Sequence, residues 1–208
     1  MRPDYCLVNY QIANKFVASL KTAIDHMYGK DTKALGKVIN DFHTKRCCNL
    51  LADHQGTVVV GNENAHNDLN LTPTVVLNPS EDCELMKHET FGPILNVFTY
   101  KKFDDAVKFI NARPKPLAVY YFGNNSSGNQ NMQRLISETS SGAFACNEIT
   151  LQMLNSELPF GGVGQSGYGR LKGKAGFDQC SNKKSILHKT PLTFYPFTVI
   201  FPPFTADK

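Results

Sequence analysis

Short apolar runs alternate with segments of helical period along most of this 208-residue chain. Tyr5 to Asn9, Thr57 to Val60, Pro73 to Leu77, Ile94 to Tyr100, Leu117 to Phe122 and Ala143 to Cys146 read as strands. Between them, Ile12, Phe16, Leu20, Ile24 and Met27 keep helical spacing up to a stop at Gly29. Asn40 to Ala52 and Phe103 to Asn111 read as helices, and another runs through Met132, Leu135 and Ile136. A helix near Lys174 to Cys180 and a last strand at Ser185 to His188 complete the order. Strands separated by helices of about ten to fifteen residues predict an α/β fold, with an open, largely parallel twisted sheet covered by helices on both faces. Leu117 to Phe122 carries four apolar residues in succession, as a strand buried on both faces does. Gly61 to Asn70 reads as a polar surface loop.

The chain is long enough for a substantial core. Its 41% hydrophobic content and formal charge of +4 are ordinary, and its Lys and Arg are dispersed, so no nucleic-acid footprint is visible. Leu192 to Phe204 is the most apolar stretch, but Pro196, Pro202 and Pro203 break it. A membrane-spanning helix needs roughly 20 apolar residues. Met1 to Gln11 lacks the apolar region of a signal peptide. The six cysteines (Cys6, Cys47, Cys48, Cys83, Cys146 and Cys180) make no CxxC pair and no zinc spacing. Reduced thiols and a cytoplasmic location are therefore expected, with Cys6 and Cys146 as small core residues on strands.

Two segments carry chemistry. Glu89-Thr90-Phe91-Gly92-Pro93 places a carboxylate two residues from an aromatic ring before a Gly-Pro turn. On an extended segment these side chains share one face. The carboxylate can then accept hydrogen bonds from two sugar hydroxyls while the ring offers a flat wall to a heterocycle. A turn with a core phenylalanine and a surface glutamate is the plainer reading of the same residues. Leu158 to Arg170 holds five glycines within nine positions, 161 to 169. It lacks the Lys-Ser/Thr of a phosphate loop and the spacing of a dinucleotide fingerprint. A tight loop bringing Phe160 and the backbone against a cleft is expected instead.

Taken in order, Pro3-Asp4-Tyr5, Pro73-Thr74, Glu89 to Pro93, Lys115-Pro116-Leu117-Ala118, Glu138 to Gly142, Leu158 to Gly169 and Phe201-Pro202-Pro203-Phe204 resemble the class 3 branch of the aldehyde dehydrogenase superfamily. The resemblance implies NAD or NADP as cofactor and oxidation of aldehydes to carboxylic acids, through a cysteine nucleophile and a glutamate general base. It implies that Glu89 holds the nicotinamide ribose hydroxyls and that Phe91 lies beside the nicotinamide. It places Asn147 in a loop near the substrate mouth, and Phe160 at the start of the glycine turn packed beneath it. Residues 1–182 correspond to a catalytic-domain-like region, and residues 183–208 to an oligomerisation strand, Ser185 to His188, with a C-terminal tail.

The sequence also departs from that family. The family's Gly-Gln-x-Cys run matches positions upstream of Met1, and its general base and most of its cofactor domain match residues further upstream still. Leu171-Lys172 stand where class 3 members often carry Tyr-His. The 208 residues alone are therefore expected neither to bind the cofactor nor to oxidise aldehydes. Two readings follow: part of a class 3-like enzyme, or a non-catalytic pseudoenzyme that acts by binding. The expected partners are a second copy, a full-length relative or a chain supplying the N-terminal half.

Overall fold

The computed structural model describes residues 2–29, 35–61, 66–67, 69–124, 126, 129–190, 197–202 and 204. It begins with β1 (Tyr5–Asn9) and α1 (Ala13–Tyr28), followed by α2 (Asp41–Leu51). In α1 the Gly29 amide closes the last turn on the Asp25 carbonyl at 2.8 Å. The apolar period runs one turn too far, since Met27 is exposed. Asn40 caps α2, its Oδ1 accepting from the His43 amide at 3.0 Å.

Then come β2 (Thr57–Val60), β3 (His66–Asn67), β4 (Asn70–Leu71), β5 (Thr74–Leu77), the single turn α3 (Glu84–Lys87) and β6 (Ile94–Tyr100). Four of the strands form one sheet in the order β1-β6-β5-β2. β1 and β5 both run parallel to β6, and β2 is an antiparallel edge whose register shifts between Val58 and Val60. Neighbouring residues on a strand face opposite ways. Val75 accordingly joins Val8, Val97 and the α1 residues Phe16, Leu20 and Ile24 on one face. Val76 joins Ile94, Leu85 and the α2 residues Cys47 and Leu51 on the other. Helices therefore cover both faces, as the alternating pattern requires.

The remaining elements are α4 (Phe103–Asn111), β7 (Ala118–Tyr121), α5 (Gln130–Glu138), β8 (Ala143–Cys146), the single turn α6 (Leu151–Leu154) and α7 (Gly173–Gln179). β7 and β8 form a separate parallel pair. Val107 and Ile110 of α4 pack with Leu135 of α5, and Leu7, Tyr121 and Phe144 join that cluster, tying the pair to the main sheet.

Three expectations need correction. Leu117 to Phe122 is not buried on both faces: Val119 is buried, its neighbours Ala118, Tyr120 and Tyr121 are half-buried, and Phe122 beyond the strand is 64% exposed. The excursion after Gly61 is not wholly irregular, since His66–Asn67 pairs with Asn70–Leu71. Ser185 to His188 forms no ladder, and Ile186 and Leu187 are exposed. A strand exists only through its partner, and no described residue of this chain offers one there. Residues 191–196, within the apolar tail, and Pro203 of the Phe-Pro-Pro-Phe motif lie outside the described residues. Among the described residues no helix is long and apolar enough to cross a membrane, and no His/Cys/Asp/Glu group could hold a metal.

Candidate functional site

Glu89, Thr90 and Phe91 form a short strap entering β6 from its N-terminal end. The strap is not extended at Phe91, which has φ 44°, so an alternating-face rule does not apply to it. That left-handed conformation costs a side-chain-bearing residue roughly 1–2 kcal/mol. The ring it presents is 71% exposed, and Glu89 is exposed as well. Thr90 between them is fully buried. The plainer reading, a phenylalanine in the core, is therefore excluded.

Buried contacts fix this strap from both sides. Asp4 Oδ1 accepts from the Thr90 amide at 3.1 Å and from Thr90 Oγ1 at 3.0 Å. The Thr90 carbonyl accepts from the Arg46 guanidinium and from Cys47 Sγ, the latter at 3.8 Å. Gly92 lies directly on Cys47, where a Cβ would come within 2.7 Å of the sulfur. Arg2 completes the frame, donating to the Ile94 carbonyl at 2.7 Å and to Asp4 at 3.3 Å. Burial pulls the Arg2 guanidinium below its ordinary value, and the negative charges of Asp4 and Glu89 oppose that shift.

The glycine-rich stretch folds as the tight loop its composition predicts. Phe160 and Leu171 exchange backbone hydrogen bonds of 3.0 and 2.7 Å, and a 3₁₀ turn at Gly164–Ser166 fills the bend. Arg170 donates to the Gly162 and Gly169 carbonyls at 2.7 Å each, and Ser166 Oγ donates to the Lys115 carbonyl at 2.6 Å. Gly142 lets the loop close on the β7–β8 pair: a Cβ there would overlap the Gly161 carbonyl oxygen. Between loop and pair lies a cleft of about 210 Å³, lined by Leu117, Phe144, Leu158, Phe160, Gln152 and Arg170 among others. Gln152 Nε2 donates to Tyr120 Oη at 3.3 Å, while its buried Oε1 lacks a protein partner. Lys172 Nζ stands 5.5 Å from the centre of the Phe160 ring.

Phe160 adjoins the N-terminal ends of β7 and β8, through Leu117 and Gly142, whereas Asn147 follows the C-terminal end of β8. The Asn147 side-chain amide makes a reciprocal clasp with Gly123, accepting from the amide and donating to the carbonyl at 2.9 Å each.

Among the cysteines, Cys47 and Cys83 are buried, and burial pushes the Cys6 thiol up to about 11. Burial also raises Cys47 and Cys48. Nucleophilic thiols need the opposite shift. Sequence reasoning missed Asp4, Arg46 and Cys47 as holders of the strap; they lie 86, 44 and 43 residues from Thr90 along the chain. Pro3-Asp4-Tyr5 was the one available signal, and it entered only as part of the resemblance.

The strap thus carries an exposed carboxylate and an exposed ring on either side of a buried threonine. The model of the aldehyde dehydrogenase family matches residues 1–186. Aldehyde dehydrogenase family 3 member B1 of Rattus norvegicus is 37% identical over 207 residues, covering 98% of this chain and 43% of that protein. The 4,4'-diaponeurosporen-aldehyde dehydrogenase of Staphylococcus aureus is 35% identical over 191 residues, covering 90% and 41%. The substrate-bound structure of a Staphylococcus aureus AldH aligns with a TM-score of 0.80 at 35% identity, covering 97% of this chain and 44% of that one. A Staphylococcus aureus betaine aldehyde dehydrogenase variant in complex with NAD+ aligns with a TM-score of 0.77 at 25% identity, covering 96% and 41%. The chain thus spans less than half the length of these relatives.

Proposed function

This chain belongs to the aldehyde dehydrogenase family, and from that premise we propose that it supplies one wall of a site oxidising aldehydes to carboxylic acids with NAD+ or NADP+. The observation that carries the reading is the strap: Glu89 and Phe91 exposed on either side of a buried, four-times-bonded Thr90. The bound cofactor would contribute hydride acceptance. Glu89 accepts hydrogen bonds from the two hydroxyls of the nicotinamide ribose, charge-assisted bonds that fix the sugar. Phe91 presents its ring face to the heterocycle and shields it from water. Phe160, Leu158 and Phe144 line an apolar cleft suited to the body of an aldehyde.

The thiols of this chain do not serve as nucleophile; that group and the general base come from residues other than these 208. The exposed, unpaired segment 185–188 is an oligomerisation strand that finds its ladder on a second copy or a full-length relative. That segment also favours the alternative role, a binding partner without turnover, if the polypeptide in its source has no more than these residues.

The test is aldehyde-dependent formation of NADH or NADPH by the polypeptide isolated from its source, beside the 208-residue chain alone. Turnover by the first and none by the second is expected. Turnover by the 208 residues alone would overturn the assignment of the nucleophile. Absence of turnover in both, with a complex to a full-length relative, would favour the binding role.

A further inference from the structure

We propose that Asp4 is a positioning residue for the cofactor strap, acting through Thr90 to hold Glu89 and Phe91 exposed, with Phe91 in its left-handed conformation. The inference rests on the reading of Glu89 and Phe91 given above and adds how that presentation is enforced. A phenylalanine with φ 44° and a ring 71% exposed has neither backbone preference nor burial to keep it there. The residue before it must supply the constraint. Thr90 uses its amide and its hydroxyl on a single carboxylate oxygen of Asp4, at 3.1 and 3.0 Å. Its carbonyl is taken by Arg46 and Cys47 from α2. One residue thereby joins the start of β1 to α2 across the strap.

The two sides do not contribute equally. Arg46 and Cys47 hold only the carbonyl, leaving rotation about the Glu89–Thr90 side unconstrained. Asp4 fixes the amide and the side chain of Thr90, and so sets the direction of the Glu89 backbone. Arg2 in turn holds Asp4, at 3.3 Å, while donating to the Ile94 carbonyl. The charge on Asp4 is thus needed less than its oxygen: asparagine can place an acceptor in the same position, and alanine cannot.

Amide hydrogen exchange on the full chain reads this directly, without cofactor or turnover. In Asp4→Ala, exchange at Thr90 is expected to accelerate about tenfold or more, as loss of a charge-assisted hydrogen bond implies. Amides of β5 and β6 should keep their protection, and Asp4→Asn should restore most of it at Thr90. Unchanged exchange at Thr90, or an equal loss throughout the core, would overturn the positioning role; Thr90→Val, which removes only the hydroxyl, repeats the test if Asp4→Ala fails to fold. The second readout uses the polypeptide that turns over aldehyde, where Asp4→Ala should raise KM for NAD+ with kcat changed much less. A loosened strap with an unchanged KM would sink the cofactor role of Glu89 and Phe91 and leave the anchor standing. A rigid strap with a raised KM would sink the anchor instead.

Discussion

The strap at 89–92 and the loop at 158–171 are both irregular segments, yet they are fixed in opposite ways. The loop is held mainly from within: Phe160 pairs with Leu171, and Arg170 bonds the carbonyls of Gly162 and Gly169, with Ser166 Oγ tied outward to the Lys115 carbonyl. The strap has almost nothing of its own. Its conformation depends on Asp4, Arg46 and Cys47, carried by segments far away in sequence. A segment held by its own glycines announces itself by composition. A segment held by remote side chains does not, though it presents the more specific chemistry.

The contrast can be broken most severely at Gly142, where the loop meets the β7–β8 pair. Gly142→Ala would drive a methyl into the Gly161 carbonyl and also within 2.7 Å of the Leu117 carbonyl. Destabilisation of roughly 3–5 kcal/mol is expected, read as a lower midpoint in urea, with the loop released first. At the strap the corresponding change is Gly92→Ala. The obstacle there is a side chain, Cys47 Sγ, so the cost should be about 1–3 kcal/mol and relievable. Adding Cys47→Ala should recover much of the loss, a coupling that a double-mutant cycle measures directly. No recovery would show that the close approach is not what limits position 92.

Smaller again is the effect expected at Asn147. Asn147→Ala removes both bonds of the Gly123 clasp and leaves alanine at φ 55°. A loss of about 1–2 kcal/mol in stability is expected, with KM for aldehyde unaltered in the active polypeptide. A specific rise in that KM would return Asn147 to the substrate site.

Most of the architecture was legible because it depends on local periodicity. β1, α1, α2, β6, α4 and β8 fall where their apolar spacing puts them, and Asn40 and Gly29 mark helix ends. The single-turn helices at Glu84–Lys87 and Leu151–Leu154 are too short to show a period. Ser185 to His188 has the composition of a strand but no ladder among the described residues, so local pattern names the segment and not its pairing. At the strap and the loop, motif and order single out Glu89, Phe91 and Phe160 as candidates. Exposure sets the Phe91 ring apart from a core phenylalanine, a distinction that sequence does not carry.

The central claim, that the strap holds a nicotinamide cofactor, is tested most directly by KM for NAD+ and NADP+ in Glu89→Gln of the polypeptide that oxidises aldehydes. Glutamine keeps the size and loses the charge that strengthens two hydrogen bonds. A rise in cofactor KM of about tenfold to a hundredfold is expected, with KM for the aldehyde little changed. Cofactor constants equal to those of the unaltered protein would contradict the account and return Glu89 to the role of a solvated surface carboxylate.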